Sequence, residues 1–158
     1  MTVSIYTDGS SRGNPGPGGY GVILMSGTHQ KELSQGFRYT TNNRMELMAV
    51  IGALKAVKKK GINITIHSDS QYVVNAIEKG WLKKWISTNF SGGKKNKDLW
   101  LDYYNIAKDF TIKMVWEKGH ANNPFNNRCD ELATMAADKG PYLVDAGFEG
   151  ENPNLLFK

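Results

Sequence analysis

Val3, Ile5 and Thr7 alternate with Ser4, Tyr6 and Asp8, which predicts a strand. A coil dense in glycine and proline follows, and Tyr20 to Met25 predicts a second strand. Ser26-Gly27-Thr28 is a turn, and Gln30 to Phe37 alternates as a third, so the three form an antiparallel meander. The period then changes. Thr40-Thr41-Asn42-Asn43 offers helix caps, and Leu47, Val50, Ile51, Leu54 and Val57 recur at helical spacing, with Lys58 to Lys60 and Gly61 as the stop. Ile62, Ile64 and Ile66 alternate as a fourth strand ending in Ser68-Asp69, and the helical crossover makes it parallel to the first. Ser70 to Lys79, Asp98 to Lys108 and Asn127 to Lys139 predict helices, with a fifth strand at Thr111 to Trp116 and a loop from Gly119 to Pro124. Beyond Gly140-Pro141 the pattern dissolves, and 141–158 is expected to be a loosely held tail on a domain spanning 1–140.

This order predicts an α/β fold: a five-stranded mixed sheet with helices on both faces. In such sheets functional groups gather outside the carboxyl ends of the strands. Asp8 and Asp69 are expected there. Each falls in the parity class opposite its strand's aliphatic row, so the two carboxylates share one face.

At 158 residues the chain suits one domain, and its lone Cys129 forms no internal disulfide, which fits a reducing, cytoplasmic setting. No apolar run is long enough to span a membrane, and nothing resembles a coiled coil, so the expectation is a monomer. The net charge of +5 is unevenly spread. Six lysines (79, 83, 84, 94, 95 and 97) and no acid lie between Lys79 and Lys97, so the remainder sums to −1. One basic patch on a nearly neutral body points to a polyanion. Trp81, Trp85 and Phe90 interleave with these lysines and Trp100 follows, a pattern that offers phosphates a charge and bases a surface. An amphipathic helix with core tryptophans and solvated lysines reads equally from the same residues.

Two further acids matter. Glu46 lies in the first turn of the long helix on a stripe with Val50, Ala53 and Val57. A buried carboxylate there needs a cation or several donors. Helix grammar alone favours a capping box, Asn43-x-x-Glu46. Asp130 begins the last helix beside the small residues Ala133 and Ala137, where it also reads as a simple helix N-terminal acid. Together, Asp8, Glu46, Asp69 and Asp130 make an oxygen-only donor set that suits magnesium or manganese, and two such ions can drive an in-line phosphoryl displacement. His120 could relay a proton there, or be an ordinary loop histidine.

Several longer motifs carry a resemblance. They are Tyr6-Thr7-Asp8-Gly9-Ser10, the glycine run from Gly13 to Gly21, Thr40 to Leu47, Ser68 to Val73, Asp98-Leu99-Trp100, Lys118 to Ala121, and Asn127 to Ala133. In this order they resemble type 1 ribonuclease H, bacterial ribonuclease HI included, over roughly residues 4–139. The resemblance implies the ribonuclease H-like fold and hydrolysis of the RNA strand of RNA–DNA hybrids, leaving 3′-hydroxyl and 5′-phosphate ends. It implies that Asp8, Glu46, Asp69 and Asp130 hold two Mg2+ ions, with Mn2+ a possible substitute, and that His120 assists proton transfer or product release. Asn14, Asn43 and Gln71, with backbone near Ser10 and beside Asn42, would sense the RNA 2′-hydroxyls. Thr41 and Asn96 would hold a DNA-strand phosphate. Trp81, Lys83, Lys84, Trp85 and Trp100 would serve the DNA-facing channel, with 79–97 as the family's basic protrusion.

The chain departs from the family pattern at Ser11-Arg12, at Ser91-Gly92-Gly93 and at Asn122-Asn123-Pro124-Phe125. Two competing readings are a hybrid-binding module without catalysis and another nuclease of the same fold, such as a junction resolvase. The complete acid set argues against the first, and Asn14, Asn43 and Gln71 against the second.

Overall fold

The computed structural model describes residues 2–118 and 122–150. A meander opens the fold: β1 (Thr2–Ser11), β2 (Gly16–Ser26) and β3 (His29–Thr40). α1 (Asn42–Ala56) crosses to β4 (Asn63–Ser68), and α2 (Gln71–Glu78), α3 (Trp81–Ser87) and α4 (Lys97–Ala107) lead to β5 (Thr111–Trp116). α5 (Pro124–Lys139), β6 (Tyr142–Leu143) and the short α6 (Ala146–Gly150) follow. The sheet order is β5-β4-β1-β2-β3-β6. β1 to β3 are antiparallel, β4 and β5 run parallel to β1, and β6 runs parallel to β3. The expected mixed sheet is present, with a sixth strand of two residues that periodicity is too short to reveal.

One face carries the main core. Leu47, Val50, Ile51 and Leu54 of α1 pack there with Ile5, Ile64 and Ile66 of the sheet and Trp100 of α4. Each such buried aliphatic side chain is worth about 1.5–3 kcal/mol. α5 covers β1, β2 and β3 from the other face. The missing side chain of Gly21 in β2 lets α5 lie close: a Cβ there would come within 2.5 Å of Cys129 O and 2.6 Å of Leu132 Cβ.

Several element boundaries differ from expectation. The glycine run is mostly strand, with Ser11 paired to Gly18, because cross-strand pairing overrides the poor strand propensity of glycine. Thr41, not Asn43, caps α1, its hydroxyl accepting from Arg44 N at 3.3 Å. Glu46 is therefore the fifth helical residue, and the capping box that helix grammar alone favours does not form. α1 closes at Val57, so Lys58 to Lys60 lie beyond it. Asn123 caps α5, accepting from Phe125 N and Asn126 N, with Pro124 at the first helical position. Asp130 thus stands in the second turn rather than at the helix start.

The expectation of a loose tail is corrected as far as residue 150. Asp145 and Glu149 are 2% and 3% exposed. Glu149 takes a two-pronged pair from Arg38 at 2.8 and 3.0 Å, and Asp145 accepts from Thr40 and Arg44. These partners lie over 100 residues away, so no local pattern announces them. Residues 151–158 lie outside the described residues. No helix among the described residues is long and apolar enough to cross a membrane.

Candidate active site

The β1–β4 ladder ends at Thr7 opposite Ser68. Asp8, still in β1, and Asp69, just past the end of β4, come next, which brings two carboxylates together just past the last shared rung. Although β1 continues along β2, Asp8 is therefore at the carboxyl end of the parallel pairing. Glu46 reaches the same spot because Gly9 has no side chain. A Cβ at Gly9 would collide with the backbone of Met45 and Glu46, so glycine is what lets α1 approach Asp8.

One carboxylate oxygen from each of Asp8, Glu46 and Asp69 lies within 4.8 Å of the other two, a group that could hold a metal ion. Asp8 and Glu46 are buried and Asp69 is exposed. Burial pushes the Asp8 carboxyl up to about 8, helped by repulsion from Asp69 and Asp130 and opposed by the Gly9 N–H, which donates to Asp8 Oδ1 at 2.9 Å. Burial also lifts Glu46 well above the usual carboxylate range, with Asp8 and then Asp69 adding to the rise. Asp130, exposed on α5, is close enough to act on Asp8 but is not one of the three carboxylates that converge within 4.8 Å. Among the described residues no lysine or arginine pairs with any of the four, and Glu46 Oε1 is buried without a hydrogen-bond partner. Hard, anionic oxygens with one buried and unsatisfied fit a divalent cation. His120, the expected proton relay, lies outside the described residues.

The expected substrate residues differ in burial and in what they touch. Asn14 is exposed at the β1–β2 turn and accepts from Asn42 N at 3.0 Å, which ties that turn to the start of α1. Asn42 and Asn43 open α1, Gln71 opens α2, and all three are exposed. Ser10 is half-buried in β1 opposite Gly19, and Thr41 is half-buried at the α1 cap.

Farther along, Lys83 and Lys84 are exposed on α3, as is Trp81, with Lys79 Nζ 5.6 Å from the Trp81 ring centre. Trp85 is half-buried, 5.9 Å from Trp100 and 5.6 Å from Lys94 Nζ. Trp100 corrects the expectation of a substrate contact. It is fully buried and donates its indole N–H to the Tyr72 hydroxyl at 2.8 Å, so it braces the aromatic layer from beneath. Asn96 has φ +66° and does not cap α4 with its side chain. Its amide instead donates to the Tyr72 hydroxyl at 3.1 Å and accepts from Arg44 at 3.3 Å. Sequence reasoning missed Arg44, whose importance lies in contacts with Asp98 and Asp145 that have no sequence spacing to betray them.

A sequence profile described as RNase H matches residues 1–138. The chain belongs to the RNase H family. The ribonuclease H of Desulforamulus reducens is 52% identical over 145 residues, covering 89% of this chain and 90% of that protein. Among solved structures, LC9-RNase H1, a type 1 RNase H with the type 2 active-site motif, superposes with a TM-score of 0.80. It is 29% identical over 95% of this chain and 80% of its own. LC11-RNase H1, solved in complex with an RNA/DNA hybrid, gives a TM-score of 0.63 at 26% identity, over 87% of this chain and 97% of its own. Membership in the RNase H family agrees with the enzyme class expected from the motifs.

Proposed function

We propose that this chain is an endonuclease that hydrolyses the RNA strand of RNA–DNA hybrids, with Asp8, Glu46, Asp69 and Asp130 as its metal-holding acids. The observation that carries this reading is the convergence of three carboxylates, two of them buried, together with a buried Glu46 Oε1 that has no hydrogen-bond partner. When bound there, two magnesium ions would activate water and stabilise the leaving oxygen of an in-line displacement, giving 5′-phosphate and 3′-hydroxyl ends. The chain's own residues supply the rest. Gly9 holds Asp8 through its N–H and admits α1, so the acids are preorganised before substrate arrives. Exposed Asn14, Asn42, Asn43 and Gln71, with Ser10, border the cluster and suit a minor groove whose 2′-hydroxyls distinguish RNA. Thr41 and Asn96 would take a phosphate of the DNA strand. Trp81, Lys83, Lys84 and Trp85 offer the far end of the duplex charge and an apolar surface. His120 would move a proton at the departing or attacking oxygen. Magnesium is the proposed ion, manganese a substitute, and a cytoplasmic monomer the proposed state.

The test is cleavage of an end-labelled RNA–DNA hybrid with magnesium, beside Asp8→Asn and beside an all-DNA duplex. RNA cutting by the parent alone, on the hybrid alone, is the expected result. A parent that binds the hybrid and never cuts would replace the enzyme with a binding module.

A further inference from the structure

The acids of the cleft come from β1, β4, α1 and α5, and one cluster of side chains fastens three of these elements together. Tyr6 and His67 face each other across the β1–β4 ladder, their rings stacked at 4.2 Å and 8°. Tyr6 also packs on Phe125 in the first turn of α5, with ring centres 5.1 Å apart. His67 Nδ1 meets Glu117 Oε1 at 2.6 Å; a carboxylate only accepts, so the ring nitrogen donates. Both side chains of that pair are largely shielded, at 18% and 19% exposure. Glu117 is itself pinned past the end of β5, its N–H donating to Ser68 O at 2.8 Å, while the Trp116 indole donates to Asp69 O at 3.2 Å.

The placement of this cluster matters. Tyr6 is two residues before Asp8 in β1, so its ring lies on the same strand face as that acid, and His67 is two residues before Asp69, which follows the end of β4. The acids stand just past the final shared rung, where no further β1–β4 pairing resists their mutual repulsion. A side-chain tie one step below adds to the β1–β2 pairing of Asp8 and the Trp116 bond to Asp69 O in keeping the strand ends from splaying. Phe125 extends the tie to the helix that carries Asp130.

We propose that Glu117, His67, Tyr6 and Phe125 are positioning residues that set the spacing of Asp8, Asp69 and Asp130, and through it the affinity of the cleft for a divalent metal. The proposal rests on the reading that these acids hold metal. None of the four touches the reacting atoms. Their effect is on metal binding and turnover rather than on hybrid binding.

Calorimetric titration of Mg2+ into the metal-free full-length chain tests it, together with steady-state cleavage of a hybrid. Glu117→Ala is expected to weaken magnesium binding and lower kcat by roughly 10-fold, with KM for the hybrid near the parent value. Glu117→Gln keeps an oxygen acceptor for the imidazole N–H and is expected to stay near the parent in both. His67→Phe keeps the stacked ring without the hydrogen bond and should follow Glu117→Ala. A Glu117→Ala protein with parental magnesium affinity, whatever its melting temperature, would overturn the proposal. So would a Glu117→Gln protein as weak as Glu117→Ala, because charge rather than geometry would then be responsible. A parent that binds magnesium yet leaves hybrids intact would reject the proposed activity, while the calorimetric comparison would still decide the role of the stack.

Discussion

Arg44 and Glu46 stand two residues apart on α1, both buried, in opposite electrostatic surroundings. Arg44, 1% exposed, is saturated: Asp145 takes its Nε and Nη2 at 2.7 and 2.9 Å, and Asp98 takes Nη1 and Nη2 at 2.9 and 2.7 Å. Burial works against its charge, but the bonds to Asp98 and Asp145 outweigh it and hold the guanidinium above its ordinary range. Glu46 has acids for neighbours and no described cation, and one of its oxygens has no partner. A buried charge that is fully matched ties distant segments together, here the chain near residue 145 to α1. A buried charge left unmatched costs stability and is retained where an absent cation completes it.

The two clusters should therefore answer oppositely to removal of a charge. The largest effect is expected at Arg44→Ala, which strands Asp145 inside the protein and should cost about 3–5 kcal/mol in urea unfolding. A loss well under that would mean that the pair is not holding residues 142–150 in place. Asp8→Asn should do the reverse. It removes a carboxyl whose ionisation is opposed chiefly by burial and then by Asp69 and Asp130, and should stabilise the metal-free protein by about 1–3 kcal/mol, one pKa unit being worth about 1.4 kcal/mol. It should also abolish cleavage.

The pH dependence sharpens the same contrast. Asp8 titrates near 8 in the folded chain, above its ordinary value of 3.8, so the folded state binds the extra proton between those limits. Its contribution is favourable below about pH 4 and is lost as pH rises toward 8, so metal-free stability should fall over that window. Asp98 runs the other way. Burial raises it, but the bonds from Arg44 outweigh burial and lower it overall, so its contribution is present at neutral pH and is lost as acid protonates it. Urea midpoints of the metal-free parent and Asp8→Asn from pH 5 to 9 should show the downward slope flattened in the variant. The smallest effect belongs to the exposed Arg12–Asp138 pair, 2.6 Å apart, where Arg12→Ala should leave the midpoint unchanged because water already screens both groups.

How far the sequence discloses this contrast differs between the two clusters. Asp8 and Asp69 were readable because strand parity and the crossover rule place both past the same parallel ladder. Glu46 was readable as a partly buried acid, but its local pattern fitted a capping box, and only Gly9 against the helix backbone reveals its true neighbour. Nothing local marks Arg44, because Asp145 lies 101 residues away in a stretch without periodicity. The same holds for His67, whose partner Glu117 is 50 residues distant. Periodicity reports which face a residue takes. It does not report which distant charge it will meet there.

The most direct measurement is the melting temperature of parent and Asp8→Asn at pH 7, each metal-free and with saturating magnesium. The account predicts that the metal-free variant melts above the metal-free parent, and that magnesium raises the parent while leaving the variant nearly unmoved. A metal-free variant that melts below the parent, or a parent indifferent to magnesium, would contradict the claim that the unmatched acids at Glu46 await a cation.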